Sequence, residues 1–201
     1  SRIWNTNTIN ISNSGFNPDS KKEYFLYFGR IQKRKGLEDL ISQYSLYVNR
    51  IENRVPLKLR FVGNGEYVEE LKNIAGEFKL QHLIEFYPGV YDDISIKTHF
   101  SNAVAYVSPY NVGLGIVNSF AYGVPIITCI EPQIGPEFYY LNNQNSIILN
   151  NISELNEIFL HMLDSKNQGL YKNCYIYYTN FLDSNIMYNN FLSTIKKTFS
   201  E

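Results

Sequence analysis

Short apolar runs alternate with helical patterns along this chain, and that alternation limits what it can fold into. The run YFLYF, Tyr24–Phe28, is continuously apolar and reads as a strand buried on both faces. It is followed by LEDLISQYSLYVNRI, whose apolar residues Leu37, Leu40, Ile41, Tyr44, Leu46 and Val48 recur near helical spacing. LKLRFVG (57–63) is the next strand. EYVEELKNIAGEF is then an amphipathic helix with Val68, Leu71, Ile74 and Phe78 on one side. LIEFYPG, AVAYVSP, VPIITCI and NSIILN read as four further strands, separated by a short helix in ISIKTHFS and another near residues 115–122. Such spacing leaves room for βαβ units and not for hairpins. It predicts an α/β fold: a Rossmann-like, doubly wound parallel sheet with helices on both faces. Three helices complete the chain, the last spanning residues 184–201 with Ser184 as its expected N-cap. Residues 1–20, rich in Asn, Ser and Thr, are expected to be a linker or edge segment, and residues 21–183 the main domain.

Composition narrows the function. A formal net charge of -1 shows no basic excess of the kind nucleic acid requires. The two cysteines, Cys129 and Cys174, have no CxxC spacing, which argues against a disulfide framework or zinc site and fits a reducing, cytoplasmic setting. His82, His99 and His161 are scattered without metal-ligand spacing. No apolar run approaches the about 18 residues needed to cross a bilayer. The opening SRIWNTNTINISNSG lacks the apolar centre of a signal peptide and does not resemble a natural start, so the chain is expected to be a fragment.

In an open parallel sheet, ligands bind beyond the carboxyl ends of the strands. Four strand-ending loops are therefore informative. In FGRIQKRKG, Gly29 allows a tight turn and Arg30, Lys33, Arg34 and Lys35 precede a helix start, an arrangement suited to an anion. The bland reading is a solvated basic loop. The G-x-G-x-x-G of nicotinamide-dinucleotide sites is absent. In VGNGEY, Gly63 and Gly65 flank Asn64 and read as a turn needing positive φ. In YPGVY, Pro88 and Gly89 either form a simple turn or bring the backbone of Val90 and Tyr91 near a flat ligand. In SPYNVGLG, Gly113 and Gly115 let backbone N–H groups approach a ligand at the start of a helix, with Asn118 one turn inside. Gly123 and Pro125 then end that helix.

Taken together and in this order, FGRIQKRKGLEDLI, FVGNGEYVEELKNIA, IEFYPGV, AYVSPYNVGLGIVNSFAYGVPIIT and PEFYYLNNQNSIIL resemble the carboxyl-terminal, donor-binding domain of GT-B glycosyltransferases, specifically glycosyltransferase family 4. The resemblance covers residues 24–149 and the terminal helices. It implies a retaining enzyme that takes a nucleotide-sugar donor, such as a UDP- or GDP-sugar, and a saccharide or lipid-linked acceptor, without a bound metal. Arg30 and Lys35 match the cations that grip the diphosphate and stabilise the leaving group. The backbone of Gly29, Gly113, Leu114 and Gly115 would approach the donor, and Val90 falls at the nucleobase. An N-terminal acceptor domain would precede this chain, any membrane contact would run through that domain, and the cytosolic face is the expected location. The isolated chain would bind donor but transfer little.

The family pattern carries two glutamates separated by seven residues. Here those positions are Tyr110 and Asn118. The amide oxygen of Asn118 is a neutral substitute acceptor for the ribose hydroxyls. Tyr110 or Asn111 would replace the glutamate that touches the sugar. Glu137, in GPEF, reads either as an acid facing donor sugar or ribose or as an exposed loop acid. The missing acids also motivate an alternative: a non-catalytic nucleotide-binding or scaffold protein on a degenerate glycosyltransferase fold.

Overall fold

A computed structural model of the chain describes residues 20–131, 135–163 and 167–198. The expected linker over 1–20 lies outside these residues but for Ser20. Six strands are present: β1 (Tyr24–Phe28), β2 (Lys58–Val62), β3 (Ile84–Tyr87), β4 (Ala103–Val107), β5 (Ile126–Cys129) and β6 (Ser146–Leu149). They form one parallel sheet in the order β3-β2-β1-β4-β5-β6. The order reverses between β1 and β4, as the doubly wound topology requires. Between and after the strands lie α1 (Leu37–Arg50), α2 (Val68–Glu77), α3 (Asp93–Ser101), α4 (Gly115–Ala121), α5 (Leu155–His161), α6 (Gln168–Tyr177) and α7 (Ser184–Thr198).

The pleat of β1 explains the two layers. Phe25 and Tyr27 point to one face, where Leu40, Tyr44 and Tyr47 of α1, Leu71 of α2 and Phe159 of α5 bury them. Tyr24 and Leu26 point to the other face, among Phe100 of α3, Ile116 and Phe120 of α4 and Cys174 of α6. A strand buried on both faces needs apolar residues at every position, and YFLYF supplies them. On α1 the buried stripe runs through Leu37, Leu40, Ile41, Tyr44 and Tyr47, whereas Leu46 is exposed. Tyr47 outranks Leu46 because its ring packs on Phe25 and Phe159 while its hydroxyl accepts the Leu57 N–H at 3.1 Å. Phe78, expected on the core side of α2, is exposed just past its end, and Ala75 takes the buried place.

Helix ends follow local chemistry. The Asp92 carboxylate caps α3 by accepting the Ser95 N–H at 2.9 Å. α4 ends as expected at Gly123, whose left-handed φ of 66° lets the Val124 N–H reach the Ser119 carbonyl at 2.8 Å. At α7 the capping oxygen belongs to Asp183, which accepts the Asn185 N–H at 3.0 Å, and Ser184 is the first helical residue.

The chain closes on its own beginning. Arg50 at the end of α1 donates to Asn156 Oδ1 at 2.6 Å, and Asn156 donates in turn to Gln43 Oε1 at 2.9 Å. Phe159 of α5 sits with its centroid 4.2 Å from that of Phe25. Truncation of Phe159 leaves a cavity between the first and last βα units. Phe159→Ala is expected to cost about 3–5 kcal/mol in urea-unfolding experiments.

Candidate functional site

An open cleft of about 830 Å³ lies at the carboxyl ends of β1, β2 and β4, at the point where strand order reverses. Its floor is made by loops that hydrogen-bond onward past the strands. The Gly29 N–H donates to the Val62 carbonyl at 3.0 Å, the Ile31 N–H to the Asn64 carbonyl at 3.0 Å, and the Gly63 N–H to the Tyr87 carbonyl at 3.0 Å. The Gly89 N–H donates to Asn64 Oδ1 at 3.0 Å. Gly63 and Gly65 are not in a positive-φ turn. Their role is close approach: a Cβ on Gly63 would overlap the Gly29 carbonyl oxygen, and one on Gly65 would overlap that of Ile31. The loop after β2 thus lies directly on the loop after β1.

The basic loop forms a 3-10 turn, Lys33–Lys35, and reverses at Gly36, whose φ is 64°. Arg30, Arg34 and Lys35 line the cleft, and Glu66 is the one acid in its lining among the described residues. Arg34 Nε donates to Gln32 Oε1 at 3.2 Å. Lys35 Nζ donates to the main-chain oxygen of Asn111 at 2.7 Å. Burial holds the Lys35 ammonium below its ordinary pKa and Arg34 adds to that, while Glu137 opposes it. The buried Tyr106 closes the cleft floor, donating to the Phe28 carbonyl at 3.1 Å. An excess of cations with unspent N–H groups, set among backbone amides, suits an anionic ligand.

Of the residues singled out in the sequence, Gly29, Arg30, Lys35, Val90, Gly113, Leu114, Gly115 and Asn118 line this one cleft. Three do not. Tyr110 turns away: its ring lies against Gly36 and its hydroxyl donates to Asp39 at 3.3 Å. Burial raises its pKa to about 12, helped by Asp39. Asn111 is buried beneath the loop with a left-handed φ of 57°. Glu137 lies in the first turn of a 3-10 segment, Pro136–Tyr140, is not among the residues lining the cleft, and acts on Lys35 through its field. Arg34 and Tyr91, named in the basic loop and in YPGVY, also line the cleft, as do Gln32, Asn64 and Glu66, which the sequence did not single out as contact residues. Their places in the strand-ending loops were the available signal. Among the described residues no three His, Cys, Asp or Glu side chains gather as metal ligands, and no helix is long and apolar enough to cross a membrane.

A six-stranded parallel Rossmann-like sheet of this kind is the architecture of the C-terminal domain of GT-B glycosyltransferases. The model of the family described as Glycosyl transferases group 1 matches residues 10–175, and the chain belongs to that family. No curated protein sequence matches it. The C-terminal domain of a glycosyl transferase group 1 family protein (LpcC) from Francisella tularensis superposes with a TM-score of 0.66 at 17% identity, over 82% of this chain and 88% of that domain. Anabaena Alr3699/HepE, solved in complex with UDP, superposes with a TM-score of 0.71 at 16% identity, over 88% of this chain and 49% of that one. S. aureus TarM, in a complex that includes UDP and alpha-GlcNAc-glycerol, gives a TM-score of 0.71 at 15% identity, over 88% of this chain and 36% of that one. The chain therefore spans half or less of these two longer proteins.

The cleft's glycines divide into two kinds. A Cβ at Gly113 meets nothing within 4 Å, so it would project into free space. Gly113→Ala is expected to change unfolding free energy by no more than about 0.5 kcal/mol. Gly65→Ala must push one loop backbone off another and is expected to cost about 2–3 kcal/mol. Urea unfolding of both variants tests the difference.

Proposed function

We propose that the chain is the donor-binding half of a retaining glycosyltransferase of family 4. It holds a nucleotide-activated hexose, with UDP the first candidate base and diphosphate and GDP the second. The observation that supports this most is the convergence of Arg30, Lys35 and residues 113–115 on one cleft at the strand-order reversal. The UDP in the HepE and TarM structures supports the choice of nucleotide.

In this reading Arg30 and Lys35 grip the diphosphate. As the sugar–phosphate bond breaks, they neutralise the charge that grows on the leaving group, and no metal ion is required. The amides of Gly113, Leu114 and Gly115 donate to no acceptor among the described residues and face the sugar or diphosphate. Val90 and the backbone after Gly89 lie at the base. Asn118 receives the ribose hydroxyls through its amide oxygen. Glu137 acts on the diphosphate site electrostatically, through Lys35. The acceptor, a saccharide or lipid-linked saccharide of polysaccharide biosynthesis, binds on a second domain. Transfer takes place in the cytoplasm, at the inner membrane face when the acceptor is lipid-linked, and membrane contact belongs to that second domain.

A non-catalytic binder is the second reading. It is favoured by one observation: Tyr110 holds the first acid position and faces Asp39, away from the cleft. A full-length assay separates the two, because the enzyme releases nucleoside diphosphate from a donor in the presence of acceptor and the binder does not. The enzyme and a non-catalytic nucleotide binder expect UDP or GDP to bind this chain. A scaffold on the degenerate fold expects neither nucleotide to shift its melting temperature and Arg30→Ala to change nothing. A charge-assisted contact contributes about 1.5–3 kcal/mol, so Arg30→Ala is expected to weaken UDP binding by about 10- to 100-fold in calorimetry. Equal affinity in wild type and variant would remove Arg30 from the site.

A further inference from the structure

Asn111 does something other than touch the donor. It is 8% exposed and does not line the cleft, yet it makes two contacts to the basic loop. Its main-chain oxygen accepts from Lys35 Nζ at 2.7 Å, and its side-chain Nδ2 donates, over a longer 3.5 Å, to the Arg34 carbonyl. One residue thus holds both the last ammonium of the basic turn and the backbone immediately before it.

We propose that Asn111 is a positioning residue: it clamps the basic turn to the loop after β4 and sets the direction of the Lys35 ammonium. This rests on the nucleotide-binding reading of the cleft. The backbone conformation is decisive. At φ 57° the Asn111 carbonyl turns toward Lys35, and this left-handed region is open mainly to Gly, Asn and Asp. Glycine would adopt it but has no amide to donate. Aspartate would place an acceptor against the Arg34 carbonyl. Most other residues would be strained and would misdirect the oxygen. Asparagine alone combines the conformation with the donor.

The consequence is preorganisation. A free lysine samples many rotamers, and fixing it on ligand binding costs entropy. Lys35 is already held, with one N–H spent on Asn111 and two left for an anion. The clamp also ties two loops that each line the cleft, 29–35 and 113–115. An anion therefore meets cations and amides already in register.

Two measurements test the clamp. The first is UDP affinity by calorimetry for wild type, Asn111→Ala, Asn111→Gly, Lys35→Ala and the two double variants. Asn111→Ala is expected to weaken binding about tenfold, and Asn111→Gly, which keeps the carbonyl and loses the amide, about two- to threefold. In the Lys35→Ala background each change at Asn111 should cost less than about twofold, because the group it positions is gone. The second measurement needs no nucleotide. The rate of Lys35 acetylation by an N-hydroxysuccinimide ester, followed by mass spectrometry, should rise several-fold in Asn111→Ala and less in Asn111→Gly. The glycine variants carry both tests if the alanine variant does not fold. Losses in affinity that simply add to that of Lys35→Ala, together with unchanged acetylation, would overturn the inference. A wild-type chain that does not bind UDP would sink the functional reading, and the acetylation rates would still decide the clamp.

Discussion

The site depends on backbones that touch where side chains usually separate them. β1 is central, paired with β2 on one side and β4 on the other. Beyond the strand ends the ladder does not splay. Because Gly63 and Gly65 carry no side chains, the loop after β2 lies on the loop after β1, and Asn64 reaches across to Gly89 in the loop after β3. On the opposite flank, Lys35 bonds to Asn111 in the loop after β4. Four strand-ending loops are so joined into one wall. Each bond is modest alone, on the order of 1 kcal/mol. Their effect is geometric, since they bring Arg30, Arg34 and Lys35 to one edge of one cleft.

That arrangement is costly without a ligand. Arg34 and Lys35 are neighbours whose charges repel, and some of the Lys35 pKa depression, beyond that due to burial, comes from Arg34. Ion pairs lie elsewhere in the molecule: Lys58 and Arg60 share Glu85, at 2.5 and 2.7 Å. Two of the cleft cations, Arg34 and Lys35, instead lean on neutral oxygens, those of Gln32 and Asn111. A carboxylate partner would satisfy them and also compete with an incoming anion. Neutral acceptors orient the cations and leave their charge unspent, which in the proposed donor-binding reading gives up local stability for recognition. The two apolar layers on either face of the sheet supply the rigidity that makes this tolerable.

Much of this was legible in the sequence, for physical reasons. A parallel strand buried on both faces is a continuous apolar run, so the strands could be read directly. Gly123 and Pro125 ended α4 because their restrictions are local. The positions that misled were those decided by distant partners. Leu46 looked as apolar as Tyr47, but Tyr47 fits between Phe25 and Phe159. Gly63 and Gly65 looked like turn residues, and only the neighbouring loop reveals why a Cβ is excluded. Ser184 and Asp183 are both good caps, and which one serves depends on where the π-helical segment Tyr178–Leu182 ends. Tyr110 and Asn111 were equal candidates for the same place. The structure sends one to Asp39 and the other beneath the basic loop, and no local rule distinguishes them.

The central claim is that a single nucleoside diphosphate is held at the strand-order reversal by the loops after β1 and β4 together. Amide chemical-shift mapping of the isotopically labelled chain during UDP titration tests it most directly. The amides of Gly29, Arg30, Gly113 and Gly115 are expected to shift together along one saturable isotherm, and uridine, lacking phosphate, is expected to move them little. Shifts confined to one of these loops, or centred on α7 at the far end of the chain, would contradict it.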